Sequence, residues 1–447
     1  MNLSSLSAKL TALCDHPGVR RYGHNMVWML IEKVFRLLLG TGVGIYVARQ
    51  LGPANFGLLN YAISFATLFA VFTSLGLDSL VVCELVARPE RQGRVLGTAA
   101  AIKATGAVMM WLAISAALLV VPGVPGSTCL VLLVAAGYFF SSFQVIELYF
   151  QARVKSQYIA VAQLIALSVV SGFRLFFACL QYPLWCFALL ESVNMVLNFA
   201  GYALFYRFTD LRLDRWSWDG EVARKLFRDG WPLLLASLTG LLYLRIDQLM
   251  VTTMIGSAAN GQYAVAYRLC ELLIALIWII CTVLLPSVVG TRRTSLRRYH
   301  QRMELFIGGM FYLALLTVIP AMFAGKYAIA LLYGPQYQQA GDLFFWYAAR
   351  LLIVIPALPL GQWMLAGNYQ FFSFWVTLIG AVANIALSYL LIRHFGVFGA
   401  VWAVNLSTVL SLLAIPLLFR PSRYSVRLFF SAIFRDPRKF LHQLEKL

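Results

Sequence analysis

The chain has 447 residues, of which 61% are hydrophobic and only 12% charged, and 36 Lys and Arg outweigh 18 Asp and Glu for a net charge of +18. Mean hydropathy is +0.77. A soluble domain of this length cannot bury so much apolar surface, so composition excludes an ordinary soluble enzyme, a disordered chain and a secreted disulfide scaffold, and points to a polytopic membrane protein.

The elements follow in chain order. Residues 1–22 form a cytoplasmic amphipathic N-terminus, with Leu3, Leu6, Leu10 and Leu13 at helical spacing beside cations that suit an anionic lipid surface. No cleavable signal is expected, because the first apolar stretch starts late and carries internal charge. Apolar runs of spanning length then predict twelve helices. They lie at approximately 24–49, 56–82, 98–121, 128–150, 157–180, 185–206, 231–254, 262–288, 303–323, 342–366, 371–392 and 399–419. The polar segment 207–230 reads as a cytoplasmic linker between two six-helix bundles, 23–206 and 231–419, and 420–447 as a cytoplasmic basic tail whose residues 424–447 form a second surface helix. The longest outer loop is expected at about 324–341. The predicted fold is therefore all-α, with about twelve transmembrane helices.

The cations sort by side. Of the 36, 26 fall on the side that holds both ends of the chain, three (Arg49, Lys326 and Arg393) fall on the other, and seven lie within spans. The positive-inside rule then puts both termini in the cytoplasm, and accounts for the basic excess without nucleic acid. A repeat supports the two bundles. Leu51-Gly52-Pro53-Ala54-Asn55-Phe56-Gly57 after span 1 and Ile255-Gly256-Ser257-Ala258-Ala259-Asn260-Gly261 after span 7 share Gly, Ala and Gly at an offset of 204. Parallel halves of this kind are a transporter plan.

Ionisable groups inside a membrane are costly, and so mark function or a pairing that holds helices together. Lys33, Arg36, Arg174, Arg245, Arg268 and Arg350 are the candidates for a cationic lumen that binds an anionic headgroup, where the arginine fork suits diphosphate. Lys103, near a span end, reads instead as snorkelling to the surface. Glu32, Asp78, Asp247 and Glu271 are the candidates for coupling or ion pairing. Counting rise per residue from the turn at 255–261 gives Arg245 and Glu271 depths of about 15 Å, and Asp247 and Arg268 about 12 and 10 Å. The expectation is two crossed pairs, Arg245–Glu271 and Asp247–Arg268. Asn60 and Asn384 read as hydrogen-bonding between helices, with lining a path as the alternative, and Pro320, Pro356, Pro359 and Pro416 as kinks or hinges. The seven cysteines have no metal-binding or redox spacing, and no metal site or catalytic residue is predicted.

Several motifs resemble a known family. Ala48-Arg49-Gln50-Leu51-Gly52-Pro53-Ala54-Asn55-Phe56-Gly57, with Leu75-Gly76-Leu77-Asp78, Arg245-Ile246-Asp247-Gln248, Tyr267-Arg268-Leu269-Cys270-Glu271, Leu332-Tyr333-Gly334-Pro335 and Phe395-Gly396-Val397-Phe398-Gly399-Ala400, is similar in order and spacing to the bacterial polysaccharide flippases. These are the O-antigen (Wzx-type) branch of the multidrug/oligosaccharidyl-lipid/polysaccharide (MOP) exporter superfamily. The resemblance covers nearly all of 23–419. It implies alternating access by two bundles, and movement of undecaprenyl-diphosphate-linked oligosaccharide across the bacterial inner membrane for O-antigen, capsule or exopolysaccharide synthesis. The partners it implies are that substrate, the bilayer, and the polysaccharide polymerase and chain-length machinery. It implies no cofactor, and leaves coupling to H⁺ or Na⁺ open. The rival readings are a cation-coupled multidrug exporter of the same superfamily and, against the short outer loops, a membrane-embedded glycan polymerase or glycosyltransferase.

Overall fold

The computed structural model describes residues 17–120, 124–208, 216–293, 295–366, 370–418 and 423–433. The leucines of the N-terminal surface helix and residues 434–447 of the tail lie outside the described residues. Every regular element among the described residues is helical.

The first helix, α1 (Pro17–Phe69), is broken at Gly52, whose φ of 71° and ψ of 169° are open chiefly to glycine. Pro53 follows, and opens the second arm where a missing N–H costs nothing. The first arm runs from 17 to 51 unbroken by the charges of Glu32, Lys33 and Arg36. The chain continues through α2 (Val71–Ser74), α3 (Asp78–Ala87), α4 (Gln92–Val120), α5 (Ser127–Ser141), α6 (Val145–Ala152), α7 (Ser156–Cys179) and α8 (Leu184–Tyr206). Then come α9 (Gly220–Met254), α10 (Ser257–Val289), α11 (Leu296–Tyr333), α12 (Gln338–Ala349), α13 (Leu351–Ala366), α14 (Gln370–Phe395), α15 (Val397–Val409), α16 (Ile415–Leu418) and α17 (Arg423–Ile433).

Among the described residues ten helical stretches are long and apolar enough to cross a membrane, or eleven if the pair Pro335–Ala349 and Leu351–Gly361, bent by 44°, is one span. The first stretch, Ile31–Ala87, has 57 residues and contains the Gly52 break. Straight, it would measure about 85 Å, against a hydrocarbon core of about 30 Å. Large apolar side chains stand on the outside of these helices, as at Leu112 (66% exposed), Leu119 (88%) and Leu316 (73%). Lipid tails accept such surfaces, so helix association rests on close packing and polar contacts rather than on apolar burial.

Contacts gather the chain into two compact units: the described residues up to Gln50 with Phe65–Ser237, and Leu51–Ser64 with the residues from Leu238 onward. In the first unit a core joins Leu77 and Val81 of α3, Val95 and Leu96 of α4, Phe150 of α6, Tyr202 and Tyr206 of α8, and Val222 and Leu226 of α9. This corrects the reading of 207–230 as a linker. Its second half is the first three turns of α9, where Val222, Ala223 and Leu226 make an apolar stripe among charges and bury it in the core. Trp216 Nε1 donates to the Tyr206 hydroxyl at 3.0 Å.

In the second unit α11 runs on to Tyr333, so most of the loop expected at 324–341 is helix, ended by Gly334 (φ 92°, ψ 171°) and Pro335. Near the end of the chain, Leu410–Ala414 form a π turn just before Pro416, whose ring nitrogen cannot continue the α pattern. The tail helix α17 does not turn its apolar side to lipid. Val426, Leu428, Phe429 and Ala432 are buried, and the helix packs on α11, α13 and α16.

The repeated turns meet within this second unit. A Cβ on Gly57 would lie 1.8 Å from the Ser257 carbonyl oxygen, and one on Gly261 would lie 2.0 Å from that of Pro53. The contact is reciprocal, since Gly57 and Gly261, like Pro53 and Ser257, stand 204 residues apart. Asn260 Nδ2 donates to the Gly57 carbonyl at 2.8 Å.

Candidate transport site

Polar side chains cluster inside each unit. In the second, α9 supplies Arg245, Asp247 and Gln248, α10 supplies Tyr263, Tyr267, Arg268 and Glu271, and α14 supplies Asn384 and Ser388. Asp247 is buried. Its Oδ1 accepts from Asn384 Nδ2 at 2.9 Å and from Ser388 Oγ at 3.2 Å, and its Oδ2 from the Tyr263 hydroxyl at 3.4 Å. Its direct partners are neutral, it lies in no ion pair among the described residues, and Arg350 is the cation within its electrostatic reach. Arg268 Nη2 donates to Asn60 Oδ1 at 3.0 Å, with the guanidinium 4.8 Å over the Phe56 ring. Asn60 is itself fixed by donating to the Phe56 carbonyl at 2.6 Å. Ser64 Oγ donates to Gln248 Oε1 at 2.7 Å.

The crossed pairs do not form. Asp247 takes the partners above instead of Arg268, and Arg245 stacks 5.7 Å over the Tyr267 ring, with Glu271 within its electrostatic reach but not in an ion pair. The depth argument fixed heights along the helices and left out azimuth. Arg245 and Asp247 are two residues apart, about 200° around α9, so they cannot face the same neighbour. Arg350 lies where α12 gives way to α13. It is 8% exposed, stacks 4.6 Å over Tyr347, and its Nε has no hydrogen-bond partner among the described residues. Glu271 feels Arg350 and, less strongly, Arg245.

In the first unit Arg36 joins Glu32 at 2.5 Å and donates through Nη2 to Gln163 Oε1 at 2.7 Å. Gln163 Nε2 donates on to the Tyr202 hydroxyl at 2.7 Å, which lies within electrostatic reach of Glu147. The chain of contacts thus links α1, α7, α8 and α6. Arg174 pairs with Glu191 at 2.5 Å. Lys33 is exposed. Lys103 corrects the snorkelling reading, because its side chain is 4% exposed and its ammonium donates to Asp78 Oδ1 at 2.5 Å. Sequence reasoning therefore misread Lys103 and passed over the neutral polar residues Gln163, Tyr202 and Ser388. The signal at Lys103 was a partner, Asp78, on the preceding span; Ser388 is a helical turn beyond Asn384, on the same face.

These internal polar networks suit a transporter, and comparison with known families places the chain. The family described as polysaccharide biosynthesis protein matches residues 22–290. The chain belongs to the polysaccharide biosynthesis protein family. The family described as lipid II flippase MurJ matches residues 165–436 of this chain. A Haloferax volcanii protein described as "Probable low-salt glycan biosynthesis flippase Agl15" is 23% identical over 189 residues, 41% of this chain and 39% of that one. The match thus spans about two fifths of the length of that relative. Among solved structures, an inward-facing multidrug resistance MATE family transporter of the MOP superfamily aligns with TM-score 0.67 and 16% identity, over 91% of this chain and 99% of that one. Lipid II flippase MurJ in an inward closed conformation aligns with TM-score 0.62 and 12% identity, over 94% and 95%. At these identities the structural likeness is one of fold, and it agrees with the expected helical MOP architecture.

Proposed function

We propose that the protein flips lipid-linked oligosaccharide across the bacterial inner membrane by alternating access, with both termini in the cytoplasm and twelve crossings. The observation that carries this reading is the pair of family matches, which together span 22–436 and describe polysaccharide biosynthesis and lipid flipping. The multidrug-exporter reading has only the shared fold behind it. The substrate proposed is an undecaprenyl-diphosphate-linked repeat unit. Its diphosphate would be drawn to cations of the second unit, Arg268, which Asn60 and Phe56 hold in place, and Arg350. The glycan would travel in the polar interior while the lipid tail stays in the bilayer. Asp247, with Asn384 and Ser388, offers oxygen atoms and one negative charge to the coupling H⁺ or Na⁺. This is the work of a transporter rather than of an enzyme.

The test is genetic. Deleting the gene should make lipid-linked oligosaccharide accumulate on the cytoplasmic leaflet and remove the surface polysaccharide. The wild-type gene should restore it, while Arg268→Ala restores less than about a tenth of the flux, as expected from losing charge-assisted bonds worth roughly 1.5–3 kcal/mol. Unchanged surface polysaccharide and no accumulation in a strain without other flippases would refute the proposal.

A further inference from the structure

The first unit holds a second charged feature, apart from the residues assigned to transport above. An open cleft of about 810 Å³ lies where the start of α4 meets the start of α9. Five cations line it: Arg91 and Arg94 from one side, and Arg224, Lys225 and Arg228 from the other, against the acids Asp219 and Glu221. Some of this charge is committed. Arg94 pairs with Asp219 at 3.6 Å, Arg228 with Asp229 at 3.1 Å, and Lys225 with Glu84. Among the described residues Arg91 and Arg224 lie in no ion pair.

The placement is electrostatically adverse as it stands. A helix start carries partial positive charge and favours anions. Yet α4 has no acid in its first turn and has Arg94 there, while α9, whose first amides are met by Asp219, carries Arg224, Lys225 and Arg228 against Asp229 in its second and third turns. The cations repel one another and the start of α4, and an anion in the cleft relieves both.

The cleft is also built rigidly. The Asp219 amide donates to Thr98 Oγ1 at 2.9 Å, and the Ser217 amide to the Gly93 carbonyl at 3.4 Å. Gly97 allows this approach, since a Cβ there would lie 2.7 Å from the Ser217 backbone. The segment before α9 is therefore pinned onto α4, and the arginines of both helices are held around one space. Arg224 and Arg228, one turn apart, share a face.

We propose that this cleft is a binding site for the phosphate of an anionic lipid headgroup, with Arg91 and Arg224 as its principal ligands. Arginine forks match phosphate oxygens in pairs. The cations of Arg94, Lys225 and Arg228 raise the local potential, and the headgroup arrives from the membrane surface beside the apolar turns of α4 and α9. The function proposed above decides only which leaflet supplies the lipid; the chemistry of the cleft stands apart from it.

Binding of phosphatidylglycerol to the purified full-length protein in neutral detergent, followed by native mass spectrometry, tests this without any transport assay. Phosphatidylcholine and inorganic pyrophosphate serve as the comparison probes. The double variant Arg91→Gln, Arg224→Gln should bind phosphatidylglycerol about thirtyfold more weakly, about fivefold per arginine. Arg91→Lys with Arg224→Lys should fall between the two, and guards against a folding defect, as does a melting curve for each variant. Arg297→Gln with Arg298→Gln removes the same charge from an exposed site elsewhere and should bind like the wild type. Equal losses in the cleft and control variants would mean diffuse charge attraction and overturn the proposal. Binding of pyrophosphate without phosphatidylglycerol would make this a site for soluble phosphate and overturn the lipid assignment. Equal affinity for phosphatidylcholine would overturn it as well.

Discussion

Asp247 and Asp219 show two fates of a carboxylate in this molecule. Asp247 is buried among Asn384, Ser388 and Tyr263 with no ion pair among the described residues and only Arg350 within electrostatic reach, an arrangement that costs stability unless it serves a charge in transit. Asp247→Asn keeps the shape and removes the charge. Transport measured in vesicles should fall at least about tenfold, the rough worth of one charged hydrogen-bond group, while the melting temperature holds or rises. A variant that transports normally would remove Asp247 from the coupling step. Asp219 stands at the head of α9, outside the apolar stretch. The Val222 amide first, then the Glu221 amide, Arg94 and Arg91, hold its carboxyl below the ordinary value. Such a group stabilises the fold above its unfolded value, and that contribution vanishes as pH falls through the lower folded value. Melting curves should therefore show the wild type losing stability below about pH 4 more steeply than Asp219→Asn. Parallel curves would contradict it. The sequence marked the charged residues of the spans, because charge in an apolar run is conspicuous. It could not show direction. Asp247 turns from Arg268 to Asn384 through the azimuth of α9, and Lys103 is buried because Asp78 is there to receive it.

At the level of elements, the crossing of the two repeated turns is the feature most open to test. Gly57→Ala or Gly261→Ala puts a methyl group against a backbone carbonyl at 1.8 or 2.0 Å, where no flexible side chain can give way. Each should lower stability by about 1–3 kcal/mol or more, read as a lower melting temperature and less protein in the membrane. Gly240→Ala, which meets nothing within 4 Å, should do no harm. Equal melting of all three would mean that this crossing is not closely packed. The spans themselves were legible, because a bilayer imposes long apolar runs: the predicted 157–180 and 185–206 are Ser156–Cys179 and Leu184–Tyr206. The polar segments were not. Residues 220–230 and 324–333 look like loops by composition, yet a few apolar residues at helical spacing, or an unbroken hydrogen-bond ladder, carry the helix through them. The tail helix misled for a related reason, since an amphipathic face in sequence does not say whether lipid or protein covers it.

For the whole molecule, the family assignment and the internal polar networks point to one activity. On the proposed topology most of the 36 cations, those of the cleft at the start of α9 among them, lie on the cytoplasmic side, and seven lie within spans, as Arg350 does. The most direct test is flipping by the purified protein in proteoliposomes. Undecaprenyl-diphosphate-linked oligosaccharide, labelled on the glycan, is placed in both leaflets, and the fraction open to a membrane-impermeant reagent is followed under an imposed H⁺ or Na⁺ gradient. The proposed function predicts that the wild type moves label between leaflets, and that Arg268→Ala and Asp247→Asn, reconstituted at the same density, move it at least about tenfold more slowly. Label that stays in its original leaflet with the wild type, at the rate seen in protein-free liposomes under either gradient, would contradict it.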